Sequence, residues 1–255
     1  MKLNVLKSGP RVLLGGLLLL LSCANTTVLA ETTAMTIHVR ADDAKFIGSG
    51  VGGLNVLIED ARTGELLASG DIVGGTGDTA ALMTEGQTRG RSPVTGAAGF
   101  RAALDIDEPT RVRIRVTGPL AETDSIQSLT ATTWVVPGRD MVDPGIILHM
   151  PGLLVDLVSV EAGETHIQVA ADVSMMCGCP ITEGGLWDAA DFQVVTELYR
   201  DGEKISDSPL KFTGQTNRFS GQLTKPAPGQ YRLVVYAYQA ERDNVGVARE
   251  TLVLD

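Results

Sequence analysis

What most constrains this chain is alternation. From residue 35 onward, apolar and polar residues trade places with a period of two, in short runs bounded by Gly, Pro, Asn and Asp. Over residues 110–117, Val112, Ile114 and Val116 take one face while Arg111, Arg113 and Arg115 take the other, the pattern of a strand buried on one side. Almost no helical period is sustained. The pattern predicts strands over 35–41, 54–60, 65–73, 100–106, 110–117, 125–136 and 146–150, then over 153–160, 165–175, 192–200, 209–213, 218–224, 231–238 and 245–254. Ala61-Arg62-Thr63-Gly64 and Asp201-Gly202 are turn sequences between such runs. Short strands at close spacing imply an all-β fold, and the two groups meet at Pro151-Gly152. The expected architecture is two tandem antiparallel β-sandwiches, residues 31–151 and 152–255, each of ordinary domain size.

The first thirty residues read as a leader. Lys2, Lys7 and Arg11 precede an apolar run, Val12 to Leu21, that is too short for a bilayer span of about 20 residues and suits a signal peptide. Two cleavage readings stand. Val28-Leu29-Ala30 fits an ordinary signal peptidase, leaving Glu31 first. Leu20-Leu21-Ser22-Cys23 resembles a bacterial lipobox, which would end the leader at residue 22 and put a lipid on Cys23. Either way the expectation is export to the periplasm or beyond, with any membrane attachment through that lipid.

Two short motifs carry a likeness at the level of fold. Pro228-Gly229-Gln230-Tyr231-Arg232-Leu233-Val234-Val235 and the closing hairpin through Asp243-Asn244 make residues 152–255 resemble an immunoglobulin-like module of bacterial exported proteins, with Tyr231 at the position of a tyrosine corner. Residues 35–150 resemble the transthyretin-like or carboxypeptidase-regulatory sandwich, through Asn55-Val56-Leu57-Ile58-Glu59-Asp60 and Thr63-Gly64-Glu65-Leu66. The immunoglobulin disulfide with its buried Trp is absent. Sandwiches of this kind imply a fold and no particular activity.

Charge and chemistry narrow the function. The chain has 21 Lys+Arg against 31 Asp+Glu, a net −10 that becomes −13 once the leader's three positive charges are gone, which argues against a nucleic-acid partner. Gly48-Ser49-Gly50-Val51-Gly52-Gly53 spells the dinucleotide pattern but runs into a strand, where the pyrophosphate would need a helix N-terminus. No G-x-S-x-G elbow is present, and His38, His149 and His166 sit on expected strands without a triad motif. Asp105 with Asp107, and Asp188 with Asp191, lack calcium-loop spacing and read as turn residues. The reading is therefore a binding or structural protein of the cell envelope, not an enzyme.

One stretch stands apart, Met175-Met176-Cys177-Gly178-Cys179-Pro180. If the strand from residue 165 runs through it, Met175, Cys177 and Cys179 point the same way at a sandwich rim. Four readings compete. Cys177 and Cys179 form a disulfide, favoured by an oxidising compartment and by the freedom of Gly178. Two thiolates and the Met175 thioether hold a soft ion such as Cu(I), with His149, Met150 and His166 as further ligands and the Trp187 loop as a cover. The pair exchanges disulfides with a partner. Or the sulfurs are simply core.

Overall fold

A computed structural model describes residues 32–85 and 92–255. The leader and the candidate lipidation site Cys23 lie outside the described residues, and no described helix is long and apolar enough to cross a membrane. The fold is all-β. The strands of the first sheet are β1 (Thr33–Ala41), β2 (Leu54–Asp60), β3 (Leu66–Thr76), β4 (Ala97–Leu104), β5 (Thr110–Gly118), β6 (Gln127–Val135) and β7 (Met141–Met150). Those of the second are β8 (Leu153–Ala162), β9 (His166–Met175), β10 (Phe192–Arg200), β11 (Glu203–Phe212), β12 (Arg218–Thr224), β13 (Gly229–Gln239) and β14 (Asn244–Leu254). The chain passes from one sheet to the other across Pro151-Gly152.

Both sheets fold over on themselves in the same manner. The first runs β6-β5-β2-β3-β4-β1-β7 and the second β14-β13-β10-β11-β12-β9-β8. Set β9–β14 beside β1–β6 and the orders coincide, with β7 and β8 as equivalent end strands. In each, one strand serves two layers. β3 pairs with β2 up to Ile72 and with β4 from Val73, while β11 pairs with β10 up to Leu210 and with β12 from Lys211. The inward alternate residues then meet. Val56, Ile58, Val112 and Ile114 of one layer pack in the same core as Ile37, Val39 and Leu104 of the other, all fully buried. This arrangement is consistent with an immunoglobulin-like β fold. One pairing is parallel, β1 with β7, and β7 bulges around Asp143-Pro144-Gly145 to keep its register.

Local signals explain most boundaries. Asp60 ends β2 by accepting hydrogen bonds from the backbone N–H of Arg62 (2.6 Å) and Thr63 (2.9 Å), which shapes the turn before Gly64 and holds its own carboxyl below the usual range. Tyr231 is buried, and its hydroxyl donates to the Ala227 carbonyl four residues upstream at 2.7 Å, the tyrosine corner that its motif implied. β11 differs from expectation. It begins at Glu203 rather than at 209, because Glu203-Lys204-Ile205-Ser206-Asp207 carries no apolar alternation and is recruited by main-chain pairing with β10, helped by Lys204 donating to Glu197 at 3.3 Å.

Candidate functional site

The Met175–Cys179 stretch does not continue β9. The strand stops at Met175, and the chain turns back at once. The Gly178 N–H donates to the Met175 carbonyl (2.7 Å) and the Met175 N–H to the Cys179 carbonyl (3.1 Å), after which Pro180 faces Ser174 across an antiparallel bridge. Gly178 has φ +73, a conformation open to glycine and costly for other residues. The expected single face of Met175, Cys177 and Cys179 is therefore absent, since alternation applies only while the strand stays extended. Instead the turn brings Cys177 and Cys179 together, with Cα atoms 5.3 Å apart and the sulfurs at disulfide distance.

Neither is the stretch an open rim. Met175 and Met176 are fully buried, and Cys177 and Cys179 are 3% and 4% exposed. The turn lies against the first sandwich. A Cβ on Gly178 would come within 2.9 Å of the Val51 side chain, and Gly152 lies against the side chains of Gln127 and Met176. Val51 belongs to the glycine-rich loop 48–53, which the sequence discards as a nucleotide site. In the fold it is an ordered short turn tied by main-chain hydrogen bonds to Leu120 and Ala121.

Around this contact a polar network joins the halves. Asn244 is fully buried. Its side-chain oxygen accepts from the Gly152 N–H (2.8 Å), and its amide donates to the Asp42 carbonyl (3.2 Å) and to Gln239 (2.9 Å). Asp43 takes three partners from the second sandwich. Gln239 donates to its carboxylate (2.9 Å), the Trp187 indole N–H donates to its main-chain carbonyl (2.7 Å), and Arg242 pairs with it at 3.5 Å. Trp187 thus caps the junction. Beside it opens a cleft of about 460 Å³ whose walls include Asp43, Trp187, Asp191, Gln239, Glu241 and Arg242.

The remaining candidates disperse. His166 opens β9 and bonds to Thr165, so a strand of ten residues, roughly 30 Å, separates it from the cysteines. His149 is exposed and pairs with Asp42 at 3.3 Å, while Met150 is fully buried. His38 is a core histidine, with Nδ1 2.7 Å from the Ala98 carbonyl and its ring edge-on to Phe46. Asp188 caps a short turn by accepting from the Ala190 N–H. The sequence reading missed Asp42, Asp43, Gln239 and Asn244. The only local signals were two adjacent acids just past a strand and a hairpin Asn, and neither names its distant partner.

One contact across the junction responds to pH. Burial, and then the neighbouring Asp156 carboxylate, hold the Glu122 carboxyl above its ordinary value of 4.5. Glu122 belongs to the first half and Asp156 to β8. A raised pKa means that protonated Glu122 is favoured in the folded arrangement. That contribution is complete below pH 4.5 and is lost as pH rises through the raised value. The thermal midpoint of the parent should gain from acidification in this window relative to Glu122→Gln, which should lack that component. Parallel pH profiles of the two midpoints would show that the pair contributes nothing.

No protein-family model matches the chain, and no curated protein matches it. Among solved structures it is similar to a DUF3823 family protein from Bacteroides ovatus, with 10% identity over 87% of this chain and 99% of that one, at a TM-score of 0.33. A DUF3823 family protein from Parabacteroides merdae gives 10% identity over 88% and 100%, at 0.28. The chicken interferon gamma receptor alpha chain gives 10% over 88% and 98%, at 0.36. Likenesses this weak fix neither family nor function.

Proposed function

We propose that this chain is an exported binding or structural module of the bacterial cell envelope without a catalytic centre. In this reading the Met175–Cys179 turn is its central device, a disulfide-fastened wedge that seats the second sandwich on the first. Its domains are residues 31–151, transthyretin-like, and residues 152–255, immunoglobulin-like. The carrying observation is the burial of the cysteine pair, at disulfide distance, against the loop of Val51. A disulfide at that place suits the oxidising compartment to which the leader directs the chain. The 460 Å³ cleft beside Trp187 gives such a module a concave surface for a ligand or a protein partner, at the kind of interdomain position where binding sites concentrate.

Soft-metal binding and thiol exchange are the rival roles for the same turn. Both need free thiolates, so both predict a pair that opens in the folded protein. The wedge predicts the reverse. Thiol labelling of the native protein should find Cys177 and Cys179 unreactive, and intact mass should show a form two hydrogen atoms lighter than the dithiol. Removing both by Cys177→Ala and Cys179→Ala should cost about 1.5 kcal/mol, the chain-entropy value for so short a loop. If mild reductant instead exposes both thiols in the folded state, and the reduced protein keeps one equivalent of Cu(I) against a chelator, the wedge reading is overturned in favour of copper handling. Facile opening without copper retention would favour exchange.

A further inference from the structure

Because the two sandwiches share one strand order, β6 in the first occupies the position of β14 in the second. The two end strands are treated differently. β14 is covered by β8, and its inward residues Asn244, Gly246 and Ala248 are buried. Of the inward residues of β6, Gln127, Leu129, Ala131 and Thr133 are only half-buried, and Val135 at its end is fully buried. β6 pairs with β5 along an unbroken register on one side. Among the described residues, no other strand pairs with β6 and no main-chain hydrogen bond leaves its second side. At the end of its outward face stands Trp134, 62% exposed. Among the described residues both sheets have seven strands, and β6 is the one of these two equivalent ends that no strand covers.

Free edges invite pairing and are normally blocked by charge, proline or a bulge. Three of the four end strands carry such blocks. β7 has Asp143, Pro144 and a break in register; β8 has Asp156, Glu161 and a bulge between Leu157 and Ser159; β14 has Arg249 and Glu250. β6 reads Gln-Ser-Leu-Thr-Ala-Thr-Thr-Trp-Val and has none.

We infer that β6 is the docking edge for a second copy of this chain, the two β6 strands pairing antiparallel about a twofold axis at Ala131. Two observations choose this occupant. A net charge of −10 opposes the approach of copies, and β6 is the end strand on which no like charges meet. The strand also matches itself. About Ala131, Thr130 faces Thr132 and Ser128 faces Trp134 on the outer side, while Leu129 faces Thr133 on the inner side, so the two threonine hydroxyls at the centre meet, no charge faces a charge, and the half-buried residues are covered. The neighbouring arginines do not call for an acidic peptide instead. Arg113 and Arg115 pair with Glu59 at 3.7 and 3.6 Å, and Arg111 donates to Thr132 at 3.1 Å.

The test is sedimentation of the chain, as the producing cell processes it, from about 1 to about 200 µM, where a single strand pairing with little other area should associate. The dimer fraction should rise across this range, and amide exchange over residues 127–135 should slow as it does. Thr130→Lys with Thr132→Lys places lysines opposite lysines and should weaken the dimer about tenfold. Thr130→Glu with Thr132→Glu should do the same. An equimolar mixture of the two variants should recover tight association, because each lysine then faces a glutamate. A cooperative thermal transition establishes that each variant is folded, the lysine variant melting lower because its lysines stand opposite Arg115 and Arg113 and Thr132 no longer accepts from Arg111. A monomer throughout the range, a dimer indifferent to the lysines, or a mixture no tighter than its components would each overturn the assignment, the first leaving β6 to a different chain's strand.

Discussion

Asn244→Ala should uncouple the two sandwiches. The parent is expected to unfold in one calorimetric transition, because the buried Asn244 side chain joins Gly152, the Asp42 carbonyl and Gln239 at a single point. Alanine takes this partner from the buried Gly152 N–H, the buried Gln239 side-chain oxygen and the part-buried Asp42 carbonyl. Each of the two fully buried orphans costs about 1–3 kcal/mol, so the expected total loss is roughly 2–6 kcal/mol. It should fall on the contact between the halves, so the single transition should separate into two, and fragments 31–151 and 152–255 should each melt near one of them. A single transition with unchanged midpoint in the variant would place the coupling elsewhere, and aggregation of either fragment would mean that the halves do not fold alone.

The second large effect concerns the seam of the second sandwich. Gly246 lies directly against the Leu153 carbonyl, and a Cβ there would also come within 2.8 Å of a Val155 methyl. The obstacle is backbone, so a rotamer change cannot relieve it. Gly246→Ala should therefore push β8 off β14 and cost about 3 kcal/mol, at the upper end of overpacking penalties. The denaturant midpoint should fall, and amides of β14 should lose protection before those of β10. Tolerance of Gly246→Ala, with protection intact, would show that β8 can shift without loss. It would also remove the reason offered for the different exposure of β6 and β14.

The all-β class, the turn at Asp60–Gly64 and the tyrosine corner at Tyr231 were legible because each is local. Alternation over a few residues reports which face is buried, whatever the strand packs against. The same logic explains where reading along the chain stopped. Through Met175–Cys179, period two is indifferent to whether the chain stays extended or reverses at Gly178, and the reversed turn packs where only a glycine fits against Val51. β11 began early because its first half pairs with β10 without any pattern of its own.

The junction lay wholly beyond local reading. Trp187 and Asp43 are 144 residues apart, Gln239 and Asp43 196, and Asn244 and Asp42 202. The sequence by itself determined most strands and turns, since these follow from neighbouring residues and backbone sterics. Tertiary structure alone decided that the cysteine turn is buried between two sandwiches, and that β6 rather than β14 was left open. Those outcomes depend on which distant surfaces come to share a boundary, and a hydrogen-bonding side chain has the same local sequence whichever partner it finds.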